Sequence, residues 1–166
     1  MKQNLFRAIS SAFVLIAILS IFSARAAAAP RSGDPVFASG GHSEISARAL
    51  RDFRKQFKEV SNETWEVIPD GFLSSFIRDG VTNRIYYNKA GKWEFTVRQA
   101  EESLLPRALK AALRSIYYDY TISCVHEIRS SSNLSYVVIV EDKKTVKKIG
   151  ISGDREFEVM EELIKE

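Results

Sequence analysis

Two stretches of the chain, Phe72 to Phe95 and Leu134 to Phe157, have equal length and align on each other without a gap. They close on nearly the same phrase, "AGKWEF" at Ala90–Phe95 and "SGDREF" at Ser152–Phe157. Gly91 falls on Gly153, Glu94 on Glu156, Phe95 on Phe157 and, just beyond, Val97 on Val159. Apolar positions agree too: Phe76 with Val138, Ile77 with Ile139, Tyr87 with Ile149. Shared turn chemistry in two unrelated hairpins would give some of these identities. The matching order of the surrounding segments favours a duplicated unit instead.

Each copy is preceded by a helical pattern. In "HSEISARALRDFRKQFKEV", Ile45, Ala49, Phe53, Phe57 and Val60 recur every three or four residues, with Arg48, Arg51, Asp52, Lys55 and Lys58 opposite. Ser43 is the expected cap and Glu44 suits the first turn. In "SLLPRALKAALRSIYYDY" the stripe is Leu105, Ala108, Leu109, Ala112, Leu113 and Ile116, with Ser103 as cap and Pro106 in the first turn. The remaining segments alternate. "ETWEVIPDG", "GFLSSFIRDG", "NRIYYN" and "KWEFTVRQ" read as strands, with a hairpin turn at Asp79-Gly80 and another in "NKAG". "YTISCVHEIR", "LSYVVIVED" and "TVKKIGIS" follow. "REFEVMEELIKE" has a helical composition, but its counterpart is the strand "WEFTV", so a last strand near Arg155–Met160 with a fraying tail is expected. The fold class is therefore α+β: two helix-plus-antiparallel-hairpin repeats, about 44–100 and 103–162, forming one antiparallel sheet with helices packed on one face.

The N-terminus belongs to a different chemistry. Lys2 and Arg7 flank the charge-free run "AISSAFVLIAILSIF", and "SARAAAA" supplies small residues for cleavage. Residues 1–28 read as a secretory signal peptide cut after Ala26 or Ala28, leaving no stable membrane anchor. Residues 29–43, rich in Pro, Gly and Ser, read as a flexible leader before a single domain at 44–166. Lys2, Arg7 and Arg25 leave with the signal, so the 24 basic residues fall to 21 against 21 acidic ones. A neutral exported chain is a poor nucleic-acid binder. With one cysteine, Cys124, it has no internal disulfide, and packing alone must hold it. The expected location is periplasmic or secreted.

Candidate chemistry is sparse. Cys124 and His126, two apart, fall on one strand face with Tyr120, Ile122 and Ile128. Such a pair could ligate a metal or activate a thiol. The only other histidine, His42, lies in the leader, and Cys124 has apolar neighbours, so the buried-thiol reading is favoured. Adjacent carboxylates such as Glu101–Glu102 are solvated pairs, and there is no H-E-x-x-H, G-x-S-x-G or phosphate-binding Gly loop. No catalytic residue, metal site or cofactor is expected. Lys143, Lys144, Lys147 and Lys148 read as an exposed hairpin guarding a sheet edge.

The phrases "NETWEV", "NKAGKW", "LLPRALKAAL", "YYDYTI" and "LSYVVIV" together resemble the PepSY-like family of β-lactamase-inhibitor-like exported proteins, over about Glu44–Met160. The second turn, "ISGDRE", departs from that family's usual form. The resemblance implies helices on one face of an antiparallel sheet and a role in binding without catalysis. No inhibitor contact loop is matched, so inhibition of a β-lactamase does not carry over. By strand parity, if Ile85, Tyr87, Trp93, Phe95 and Val97 face the helices, then Arg84, Tyr86, Glu94, Thr96 and Arg98 face solvent and form the candidate binding face. The expected function is a non-enzymatic module docking a protein or peptide there. The alternative is a carrier of a small apolar ligand held between helices and sheet.

Overall fold

The structure is a computed structural model that describes residues 44–152 and 156–165. The expected signal peptide and leader, residues 1–43, and the turn residues Gly153, Asp154 and Arg155 lie outside the described residues. So does the expected correspondence of Gly91 with Gly153.

Helix α1 (Ala47–Gln56) is followed by strands β1 (Thr64–Ile68), β2 (Gly71–Arg78), β3 (Val81–Asn88) and β4 (Trp93–Ala100). A 3-10 turn (Glu102–Leu104) and helix α2 (Arg107–Ile116) lead to β5 (Thr121–Ser130), β6 (Leu134–Glu141), β7 (Thr145–Ile151) and β8 (Phe157–Ile164). The strands make one eight-stranded antiparallel sheet whose spatial order follows chain order. No helix among the described residues is long and apolar enough to cross a membrane.

Local rules set the turns. Asp79 and Gly80 both take left-handed φ values, 52° and 74°, giving the primed two-residue turn that matches strand twist. In the β3–β4 turn, Asn88 Oδ1 accepts from the N–H groups of Ala90 and Lys92 at 3.0 and 3.1 Å. Gly91, with φ +69°, sits where a Cβ would come within 2.3 Å of Ser46 Oγ and 3.0 Å of Ala49 N. The turn can rest against the start of α1 only because that residue is glycine.

Both helices start later than their apolar periodicity suggests. α1 begins after Ser46 rather than Ser43, and no side chain caps it. Ser103 lies in the 3-10 turn, and Pro106, with no N–H to lose, occupies the cap position of α2. The C-termini match at a spacing of 60: Phe57 and Tyr117 have nearly equal dihedrals and donate to Phe53 O and Leu113 O. Ile116, expected in the core, is 54% exposed, because the helix ends there and Tyr117 packs against the core instead.

Among the described residues, α1 and α2 each cover an apolar cluster. α1 contributes Ala49 and Phe53 to a cluster with Phe76, Ile85 and Tyr87, edged by Trp65 and Trp93. Edge-on contacts of Phe53 with Trp65 (5.4 Å) and Phe76 (5.7 Å) fill it. α2 contributes Leu113, with Leu105 just before it, to a cluster with Val125, Val138 and Ile149. Between the clusters, the β4–β5 ladder opposes Arg98 to Glu127, and Arg98 Nη1 donates to Glu127 Oε1 at 3.1 Å. The Glu127 side chain is 7% exposed, with Arg129 Nη2 a further 3.8 Å away.

The C-terminal strand outruns its expected end at Met160. It continues to Ile164, secured by Lys147–Glu162 (2.7 Å) and a Lys148–Glu161 ion pair, with Lys165 N donating to Lys144 O. Phe157 is half-buried against the α2 cluster, less enclosed than the repeat implies.

Two stability predictions follow from these contacts. Arg98→Met should cost about 1 to 3 kcal/mol by stranding the buried carboxylate, and adding Glu127→Met should recover most of that loss. Urea midpoints for the cycle check it; a double variant no better than the single would refute the pairing. Phe157→Ala should cost about 1 to 3 kcal/mol, against within about 0.5 for Glu156→Ala on the exposed turn. Equal midpoints for those two variants would mean that β8 is not docked.

Candidate functional site

Three bulges decide which side chains reach the face away from the helices. Between β3 and β4, Tyr86 opposes Phe95 and Tyr87 opposes Trp93, leaving Glu94 as the extra residue. The extra residue shifts the alternation by one position. Trp93, Thr96 and Arg98 therefore share the helix side: the indole Nε1 donates to Thr96 Oγ1 at 3.0 Å, and Arg98 meets Glu127. Phe95 and Val97, expected beneath the helices, lie on the opposite face. Of the expected solvent face, Arg84 and Tyr86 are on the side opposite α1 and α2, Thr96 and Arg98 are not, and Glu94 is exposed at the bulge. Tyr86 is 6% exposed rather than solvated, stacked on Phe95 with ring centroids 4.3 Å apart.

The second bulge makes Ser123 the extra residue between Ile122 and Cys124. Ile122 and Tyr120 turn to the α2 cluster, while Cys124, His126 and Ile128 remain on the face opposite α1 and α2. The third leaves Met160 unpaired between β7 and β8.

The face of the central strands opposite α1 and α2 is consequently apolar. Tyr86, Phe95, Val97, Ile128 and Val137 follow one another across β3, β4, β5 and β6. Val97 and Val137 are 1% exposed. Sequence parity missed Phe95, Val97 and Val137. The available signal was the run "YVVIV" in β6, apolar at successive positions, as befits a strand buried on both faces. Arg84 and Lys148 rim the strip. Arg84 Nη1 donates to Gln99 Oε1 at 3.2 Å, and Lys148 pairs with Glu161.

The polar groups on this face are tuned away from reactivity. Burial raises the Cys124 thiol above its ordinary range, with Gln99 and the Val125 backbone opposing. Burial, reinforced by Arg84 and Lys148, holds His126 below its ordinary range against a backbone hydrogen bond at Val137. Their Sγ and Nε2 atoms stand 4.0 Å apart. A protonated thiol beside a neutral imidazole is not an activated nucleophile. Among the described residues no three His, Cys, Asp or Glu converge as a metal site. Burial also raises Tyr86, with Arg84 opposing and Glu66 adding.

A surface cleft of about 700 Å³ lies beyond the end of α2, among Glu101, Arg114, Tyr118 and Glu141. Much of its charge is already paired: Arg114 with Glu102 and Lys165 with Glu141, both at 2.8 Å.

Cys124 should therefore react slowly with iodoacetamide at neutral pH, its rate rising only above the ordinary thiol midpoint of 9.0. Mass spectrometry of the single thiol across pH 6 to 11 gives the profile. A midpoint near 7 would overturn the buried-thiol assignment.

No known protein-family profile matches the chain, and no curated protein matches it in sequence. Solved structures do match. A DUF2874 family protein from Bacteroides ovatus is 14% identical with a TM-score of 0.61, covering 72% of this chain and 87% of its own. A BLIP-like protein from Bacteroides fragilis is 17% identical with a TM-score of 0.60, covering 74% and 89%. A Bacteroides eggerthii protein, provisionally assigned to the periplasm, is 12% identical with a TM-score of 0.61, covering 72% and 88%. At such identities the likeness is one of fold: a β-lactamase-inhibitor-protein-like sheet with two helices.

Proposed function

We propose that this chain is an exported, non-enzymatic binding module that docks a protein or peptide segment on the face of its sheet opposite α1 and α2. The observation that carries this is the apolar strip from Tyr86 through Phe95, Val97 and Ile128 to Val137. A sheet covered on one face normally turns polar residues outward on the other. Here neither apolar cluster of the helix side includes these five residues, so core packing against α1 and α2 does not account for them. Tyr86, Val97, Ile128 and Val137 are at most 7% exposed, an apolar, water-excluded strip with the composition of an interface core.

Export is supported by the signal-type N-terminus and by the provisional periplasmic assignment of one fold neighbour. The PepSY-like membership and the two-repeat construction, helix plus four strands used twice, belong to the same proposal. The matching helix caps 60 residues apart support the repeat. The carrier alternative needs space between helices and sheet. Phe53, Tyr87 and Leu113, all at most 1% exposed, fill those interfaces.

Photo-cross-linking tests the face. The full chain, carrying benzoylphenylalanine at position 86 or at the 85% exposed Tyr118, is expressed in its exporting host. Discrete adducts from position 86, absent from position 118, are expected. The same adducts from both positions, or none from position 86, would sink the assignment.

A further inference from the structure

The outward face of α1 carries Arg48, Arg51 and Lys55 at helical spacing, and the β3–β4 turn brings Lys92 and Trp93 beside them. Together they line a cleft of about 390 Å³, whose floor includes Asp52 and Gln56. The cleft exists because Gly91 lets that turn settle on the first turn of the helix, where any side chain would meet Ser46 and Ala49.

Among the described residues none of Arg48, Arg51, Lys55 and Lys92 makes an ion pair within 4 Å. The one carboxylate in the cleft, Asp52, accepts from Gln56 Nε2 at 2.7 Å. Arg48 and Arg51, and Arg51 and Lys55, stand three and four residues apart and repel, with Asp52 as a partial offset. Four cations against one carboxylate suit an oxyanion carrying more than one charge. Two arginine forks match phosphate oxygens, while the lysines act as point charges. Trp93, half-buried with its indole N–H already committed to Thr96, supplies apolar ring surface rather than a donor. Asp52 and Gln56 add hydrogen-bonding groups suited to hydroxyls.

We infer that this cleft binds a phosphorylated saccharide, its phosphate held by Arg48, Arg51, Lys55 and Lys92 and its ring laid on Trp93. The ligand is either a free sugar phosphate or the headgroup of a phosphorylated glycolipid. It lies on the helix side of the sheet and does not depend on the docking role of the opposite face.

Calorimetry and tryptophan fluorescence with the full chain test the site, using glucose 6-phosphate, glucose and inorganic phosphate as probes. Glucose 6-phosphate should bind saturably and about tenfold or more tightly than either of the others, a gap that narrows with added salt. Arg48→Ala with Arg51→Ala, both exposed and outside the core, should weaken it about tenfold or more while circular dichroism stays unchanged. Trp93→Phe should abolish the fluorescence response. In a parallel arm, phosphatidylcholine vesicles with and without a phosphorylated glycolipid are sedimented with the protein. Arginine-dependent binding in either arm upholds the site and identifies the source. No saturable binding in both arms, equal affinity for glucose and glucose 6-phosphate, or indifference to the arginine substitutions would overturn it.

Discussion

The β4–β5 ladder is the joint on which the molecule depends. Every other pair of neighbouring strands is joined by a short turn, whereas the path from Ala100 to Thr121 runs through a 3-10 turn and α2. Closing that longer loop costs more chain entropy, and the ladder must offset it. It carries Arg98 opposite Glu127, a carboxylate nearly removed from water between the two apolar clusters. A buried charge tolerates few partners, so a slipped register would leave Glu127 uncompensated and disfavour the misaligned sheet. The pair thus specifies alignment more than it adds stability.

Given that joint, each half solves the same packing problem with different side chains. α1 uses Phe53 in an aromatic cluster, and α2 uses Leu113 among Val125, Val138 and Ile149. Aromatic edges fill the first interface and branched aliphatics the second, to comparable enclosure. The central strands have apolar residues left for the other face, which gives the sheet two chemically distinct sides. The apolar strip and the cationic cleft beside α1 are on opposite sides, so occupants of the two do not compete for space.

Much of the fold was legible in the sequence, for identifiable reasons. Asp79-Gly80 and Asn88–Gly91 encode turns by backbone chemistry that acts locally. The helices were legible from Ala49, Phe53 and Leu113, whose spacing tracks a single buried stripe. Their ends were not: α1 starts after Ser46, Ser103 lies in the 3-10 turn, and neither helix has a side-chain cap. The candidate site was half legible. Arg84 and Tyr86 do share a face, but Thr96 and Arg98 belong to the other.

What the sequence by itself determined is therefore the local inventory: two helices, the hairpin turns, the alternation of the strands and the near absence of reactive groups. These follow from interactions between residues a few positions apart. Which face each alternation serves was decided only in the tertiary structure. Glu94, Ser123 and Met160 become extra residues because strands of unequal demand must keep their ladders while the sheet twists, and each inverts the parity that follows. The cationic cleft has the same origin. Arg48, Arg51 and Lys55 were legible as a solvated helix face, but Lys92 and Trp93 join them only because Gly91 lets a distant turn rest on that helix.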